Sequence, residues 1–277
     1  LREIVNIYFN KHYLFEPYYA ARRVQFGEIK YYLSEEVESI NIKIIDSDGT
    51  VVIDKNGLSD NQVEESSWYG PENGSPTMKK GLNTYSWNLR YEGATQFDGM
   101  IIWSARPQLG PIAPPGRYDV ILTINDEEYN TSIDLIKDPR IDVSDDDINI
   151  QFKFAMEIMQ ETDLANKKVI EIRDIRDQLL EKIEGNTIKR DNKLNQILSK
   201  LDIIESSIYQ VKNQSGQDPL NFPIKVNNRL AYLRKSVESG DGLPTKGSIE
   251  VFNVLKEELS GYVSSLDKVK LDLKKYL

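Results

Sequence analysis

The period of the apolar positions changes near Asp138-Pro139-Arg140. Upstream, aromatic and β-branched residues alternate with polar ones between Gly- and Pro-rich turns, the period-two signature of half-buried strands. Downstream, apolar residues recur every three or four positions almost to Leu277, the period of one helix face. All three tryptophans and eleven of the fifteen tyrosines lie on the first side. The pattern predicts two folding units of different class, residues 1–139 and residues 140–277.

In the first unit the alternation predicts strands over 4–9, 29–33, 40–46, 50–54, 83–89, 117–125 and 128–136. Asp46-Ser47-Asp48-Gly49 and Asn125-Asp126-Glu127 read as hairpin turns. Asp46-Ser47-Asp48-Gly49 resembles a calcium loop only at its start, because Gly57 stands where that loop needs a bidentate acid. About seven short strands separated by turn signals predict an Ig- or fibronectin-like antiparallel β-sandwich. Two long connections interrupt it, 55–81 and 91–116, and connections of that length are functional or disordered. The second is too apolar for disorder. Phe97, Met100, Ile102, Trp103, Pro111 and Ile112, with Trp68 from the first connection, are the expected interface. Trp87 lies in a strand-like alternation and is expected in the core. Trp68, Tyr69 and Trp103 offer the alternative of a sugar-stacking platform.

The second unit reads as four helices. Ser144 followed by three aspartates caps the first, and the acids favour the positive end of its dipole. Ile148, Phe152, Ala155, Met159, Val169, Ile172, Leu179 and Ile183 mark its inward face, and Gly185-Asn186 stops it. At about 38 residues it would run about 57 Å. A second helix extends to about Lys212 with Leu194, Ile197, Leu201, Ile204, Ile208 and Val211 inward. The third carries Val226, Leu230, Leu233 and Val237. The fourth starts at Pro244-Thr245 and carries Phe252, Leu255, Leu259, Tyr262, Leu266, Val269, Leu273 and Tyr276. Four such stripes predict an antiparallel four-helix bundle of long helices. The connection 213–223, rich in amides, is a helix crossover on one reading and a recognition loop on the other.

Composition narrows the chemistry. The chain of 277 residues is 39% hydrophobic and 29% charged, as soluble proteins are. Its net charge is −9; residues 1–140 carry 14 basic and 21 acidic side chains, residues 141–277 carry 21 and 23. Neither half has the positive surplus that phosphate neutralisation requires, so nucleic acid is not an expected partner. No apolar run approaches the roughly 20 residues of a membrane-spanning helix. Without cysteine there is no disulfide or thiolate metal site, and His12 is the one histidine, so no cofactor, metal or catalytic residue is expected. An enzyme would have to rely on paired carboxylates about 5–9.5 Å apart, and no pair stands out among the many acids. The chain begins at Leu1 on a strand-like stretch, which suggests a piece of a longer protein.

Segments 29–33, 81–91, 113–118, 211–225 and 242–245 together resemble the C-terminal region of large bacterial exported proteins with an N-terminal sortilin-type β-propeller, often labelled glycosyl hydrolases of the BNR-repeat kind. The most specific is Asn213-Gln214-Ser215-Gly216-Gln217-Asp218-Pro219-Leu220. Gly81-Leu82-Asn83, Trp87 and Pro114-Pro115-Gly116-Arg117-Tyr118 are also similar to the Ig-like module of flagellar hook-capping proteins. The resemblance implies an exported protein and an upstream propeller as partner in the same chain. It does not carry the hydrolase label, because the propeller's Ser-x-Asp-x-Gly-x-x-Trp boxes are absent from this sequence. The function expected is a non-catalytic accessory region: the sandwich packs on the propeller, and the bundle serves as a spacer or binds another protein. The alternative is a carbohydrate-binding module that takes a glycan on Trp68, Tyr69 and Trp103.

Overall fold

A computed structural model describes residues 11–57, 74–185, 187–274 and 276. The expected strand over 4–9, and Trp68 and Tyr69, lie outside the described residues. The chain divides into two compact units, one of Leu1–Glu92 with Ile112–Phe152 and one of Gly93–Pro111 with Lys153–Leu277. Residues 93–111, expected with the strands, therefore belong with the helices.

In the first unit, β1 (His12–Leu14), β3 (Gly27–Leu33) and β6 (Gly81–Trp87) form a three-stranded sheet in the order β1-β3-β6. A five-stranded sheet has the order β2-β10-β9-β4-β5, from β2 (Ala20–Ala21), β4 (Ile40–Ile45), β5 (Val51–Asn56), β9 (Gly116–Ile124) and β10 (Glu127–Ile136). Of two short strands, β7 (Arg90–Glu92) ends just before the segment 93–111 and β8 (Leu109–Ile112) includes its last three residues. The alternation that marks these strands in the sequence is the alternation of burial. On β3, Ile29, Tyr31 and Leu33 are buried while Glu28 and Lys30 face water; on β9, Tyr118, Val120, Leu122 and Ile124 are buried. Each such side chain contributes about 1.5–3 kcal/mol. Trp87 is fully buried, as expected, with its ring 5.1 Å from that of Tyr118 in the other sheet.

One expectation needs correction: the pairing is not antiparallel throughout. β2 runs parallel to β10, with Leu135 opposite Ala20. The chain leaves β1 in the three-stranded sheet, runs without regular structure over 15–19 and joins the edge of the five-stranded sheet as β2. Such a short edge ladder has too few residues to show a period.

Both turns close hairpins. Asn125 and Asp126 take φ of 46° and 70°, the left-handed pair of a two-residue turn. Asp46 Oδ1 accepts the Asp48 and Thr50 amides at 2.9 and 2.8 Å, and its Oδ2 accepts the Tyr91 hydroxyl at 2.8 Å, so this carboxylate holds the turn together.

The four helices are α1 (Asp145–Glu184), α2 (Asn192–Ile208), α3 (Val226–Val237) and α4 (Lys246–Leu273). Ser144 Oγ, Asp191 Oδ1 and Thr245 Oγ1 accept the amides of Asp147, Leu194 and Ser248 as N-terminal caps. In the second unit one hydrophobic cluster joins α1–α4, including Val169, Ile172, Leu201, Leu230, Leu259 and Leu266. Helix α2 ends four residues earlier than expected, because Tyr209 is extended at φ −128° and ψ 145°. Val211, expected inward, is therefore exposed. Among the described residues no helix is long and apolar enough to cross a membrane.

Candidate binding groove

Residues 93–111 have little regular structure, yet their backbone is paired almost step by step by side chains of the helices. Thr95 N donates to Asp163 Oδ1 at 2.8 Å, and its carbonyl accepts from Asn166 Nδ2 at 2.8 Å. Burial raises the Asp163 pKa, but hydrogen bonds from Lys167 and Thr95 outweigh it and hold the carboxyl below its usual range. The Tyr209 hydroxyl accepts Ile101 N at 3.0 Å and donates to Gly99 O at 3.2 Å. Arg234 donates to the carbonyls of Arg106, Leu109 and Gly110. A buried loop must satisfy its backbone polar groups, and this one does so through long side chains from far along the sequence.

This decides where the expected interface residues go. Phe97 and Met100 pack on the helical core, with Phe97 edge-on to Tyr209 at 4.9 Å and under the Arg173 guanidinium at 4.7 Å. These two have partners in this chain and stay partly exposed. Ile102 and Trp103 are half-buried, and Pro111 and Ile112 are buried. Trp103 is fixed through its backbone by Asn228. Trp68 and Tyr69 lie outside the described residues, so the expected platform is represented by Trp103 alone.

Among the described residues an open cluster of aromatic side chains lies in the first unit. Between β1 and β3 the chain carries Phe15, Tyr18, Tyr19 and Phe26 within twelve residues. Tyr18 is 88% exposed, Tyr19 59% and Phe26 46%. They border a groove of about 860 Å³. Its floor includes the outward residues Glu28 and Lys30 of β3, with Ser86, Asn88 and Arg90 beside them, and Glu28 stands opposite Ser86 in the β3–β6 register.

The wall of the groove is held in place. Phe15 N donates to Lys30 O at 3.0 Å, and the Phe15 ring meets Tyr13 edge-on at 5.0 Å. Gln25 Nε2 donates to Tyr19 O at 3.0 Å. Behind it, Arg22 is 1% exposed and its Nη1 donates to the carbonyls of Ile112 and Ala113 at 2.8 and 2.7 Å. Arg23 takes a left-handed φ of 61°, which turns the chain sharply after that anchor.

The charges of the groove are solvated. Its carboxylates, Glu16 and Glu28, are both exposed, and Glu28 is ion-paired with Lys30 at 3.1 Å. That is the arrangement of solvated surface charges rather than of a water-excluded catalytic pair. His12 is not among the residues lining it. Its ring is 3% exposed and edge-on to Tyr129, and burial lowers its pKa, with Lys11 adding to the effect and Glu35 and Glu127 opposing it. No group of three or more His, Asp or Glu that could hold a metal ion occurs among the described residues.

The groove is absent from the sequence expectations because its aromatics fit neither a strand nor a helix period. Four aromatic side chains in twelve residues, broken by Pro17 and with adjacent Tyr18-Tyr19, are the signal that was there to be read.

No protein-family model matches the chain. No curated protein matches it. Among solved structures it is similar to the crystal structure of CopC from Methylosinus trichosporium OB3b, at 14% identity and a TM-score of 0.25, over 48% of this chain and 99% of that one. A likeness that loose carries no argument about fold or function.

Proposed function

We propose that this chain is a non-catalytic interaction region of a larger exported protein, and that it makes contact through the groove bordered by Tyr18, Tyr19 and Phe26. On this reading the first unit is an Ig- or fibronectin-like sandwich, the helices of the second form an antiparallel bundle that acts as a spacer or partner-binding arm, and a β-propeller is its neighbour in the parent protein. The sequence resemblance supports the propeller and the export. The observation that carries the reading is the groove: exposed aromatic rings beside a polar floor, with its two carboxylates open to water.

Turnover by the purified chain on chromogenic glycosides, esters and phosphoesters tests it. No hydrolysis above buffer is expected. Activity that Glu16→Gln or Glu28→Gln abolishes would overturn the proposal and make the groove an active site.

A further inference from the structure

We infer that the occupant of this groove is an oligosaccharide, an inference that rests on the interaction reading above and specifies its partner. A pyranose ring has an apolar C–H face and a rim of hydroxyls, so it needs an aromatic plane to stack on and planar or charged polar groups at its edge. The groove supplies both. Tyr18 and Tyr19 are adjacent, exposed rings, and Phe26 adds a third across a short turn. Asn88, Arg90 and the Glu28–Lys30 pair present amide, guanidinium, carboxylate and ammonium groups beside them.

A protein partner fits the same surface less well. The cores of protein interfaces are depleted in Lys, Glu and Ser, yet Lys30, Glu28 and Ser86 all line this groove. A protein covering them would have to desolvate an ion pair with little return, whereas sugar hydroxyls and bridging waters can replace the lost hydration. The size agrees. At about 860 Å³ the groove lies near the upper end of small-ligand sites, about 300–1,000 Å³, which is room for several sugar rings. The hydrogen bonds of Phe15, Gln25 and Arg22 fix the backbone of the wall beforehand, so the freedom lost on binding is that of the exposed rings.

The test uses the full chain, fluorescently labelled, on an array of neutral and acidic oligosaccharides of graded length, beside the Tyr18→Ala/Tyr19→Ala double variant. Both tyrosines are exposed, so the variant should keep the wild-type near-ultraviolet circular dichroism of its buried Trp87. The expected result is binding that tightens from one to several sugar units, weakens tenfold or more in the variant, and leaves the bound glycan intact. Binding that is absent, or equal in the variant, overturns the glycan inference and leaves the interaction reading standing. Capture of a protein that the variant no longer captures, with every glycan unbound, has the same effect. Cleavage of a bound glycan keeps the ligand class and overturns the non-catalytic reading.

Discussion

The side-chain amide of Asn228 binds both backbone polar groups of Trp103. Trp103 N donates to Asn228 Oδ1 at 2.7 Å, and Asn228 Nδ2 donates to Trp103 O at 2.9 Å. An asparagine at the start of α3 thus takes the place of a neighbouring strand for one residue of a segment 125 positions away. Its own backbone amide donates to Asn227 Oδ1, and Asn227 Nδ2 reaches Asn166 Oδ1 at 3.0 Å in a buried run of amides. Asn228→Leu keeps the branched shape, though with a larger side chain, and removes both hydrogen bonds, which takes the Asn228 partner from two backbone groups. We expect a loss of about 2–4 kcal/mol, measured by urea denaturation. Asn228→Asp keeps the acceptor for Trp103 N but sets a buried carboxylate oxygen against Trp103 O, so it should not rescue the loss.

Arg234 has the same task further along the segment, with a charge. It is 5% exposed, as is Glu238 one turn later, and the two are paired at 2.5 Å. Its remaining donors hold the carbonyls of Arg106, Leu109 and Gly110. Removing Arg234 takes a buried cation away from Glu238 and from three backbone carbonyls, so Arg234→Met should cost about 3–5 kcal/mol. In Arg234→Met/Glu238→Leu both members of the pair are removed together, and the double variant should be less damaged than the sum of the two single variants. Chemical denaturation of all four proteins measures that coupling. A coupling near zero would mean that the carbonyl contacts, not the ion pair, hold Arg234.

Asn228 and Arg234 also show what a sequence can and cannot reveal here. The strands and helices are legible because burial imposes a local period: Ile29, Tyr31 and Leu33 on one face of β3, and Val226, Leu230, Leu233 and Val237 on one face of α3. The starts at Ser144 and Thr245 are legible because each caps an amide only three residues away. The placement of 93–111 is different. Apolar content marks it as packed, but its partners are single polar side chains more than 60 residues distant, and no periodicity connects Thr95 to Asn166 or Trp103 to Asn228. The groove is legible only in part: its aromatic run stands out in the sequence, but Tyr18 and Lys30 come to line one groove only because β1, β2 and β3 distribute one chain between two sheets.

Where the same segment leaves β7, Gly93 is required for space. A Cβ built there would lie 2.2 Å from Gln108 O and 2.4 Å from Pro107 O, and both are backbone atoms that cannot swing aside. Ala94 N donates to Pro107 O at 2.8 Å, which fixes that close approach. Gly93→Ala should therefore cost at least the about 1–3 kcal/mol of ordinary overpacking. Gly216, with nothing within 4 Å of its built Cβ, is the control. Gly216→Ala should be close to neutral in the same thermal melt.

The single histidine makes stability depend on pH in a predictable direction. His12 lies buried in β1 against Tyr129, and its pKa is lowered chiefly by burial. The unfolded chain therefore takes up the proton first, at about the ordinary value of 6.5. Folding is favoured above that pH, and the contribution is lost as pH falls through it towards the lower folded value. Lys11, whose charge opposes a second positive charge nearby, acts in the same direction; Glu35 and Glu127 act against it. One proton limits the slope to about 1.4 kcal/mol per pH unit. His12→Phe keeps an aromatic ring at this site and cannot titrate. Urea midpoints of the wild type should fall between pH 7 and pH 5.5, above the range in which most carboxylates titrate, while those of the variant stay nearly level. Parallel curves for the two proteins would show that His12 is not the group that responds to acid.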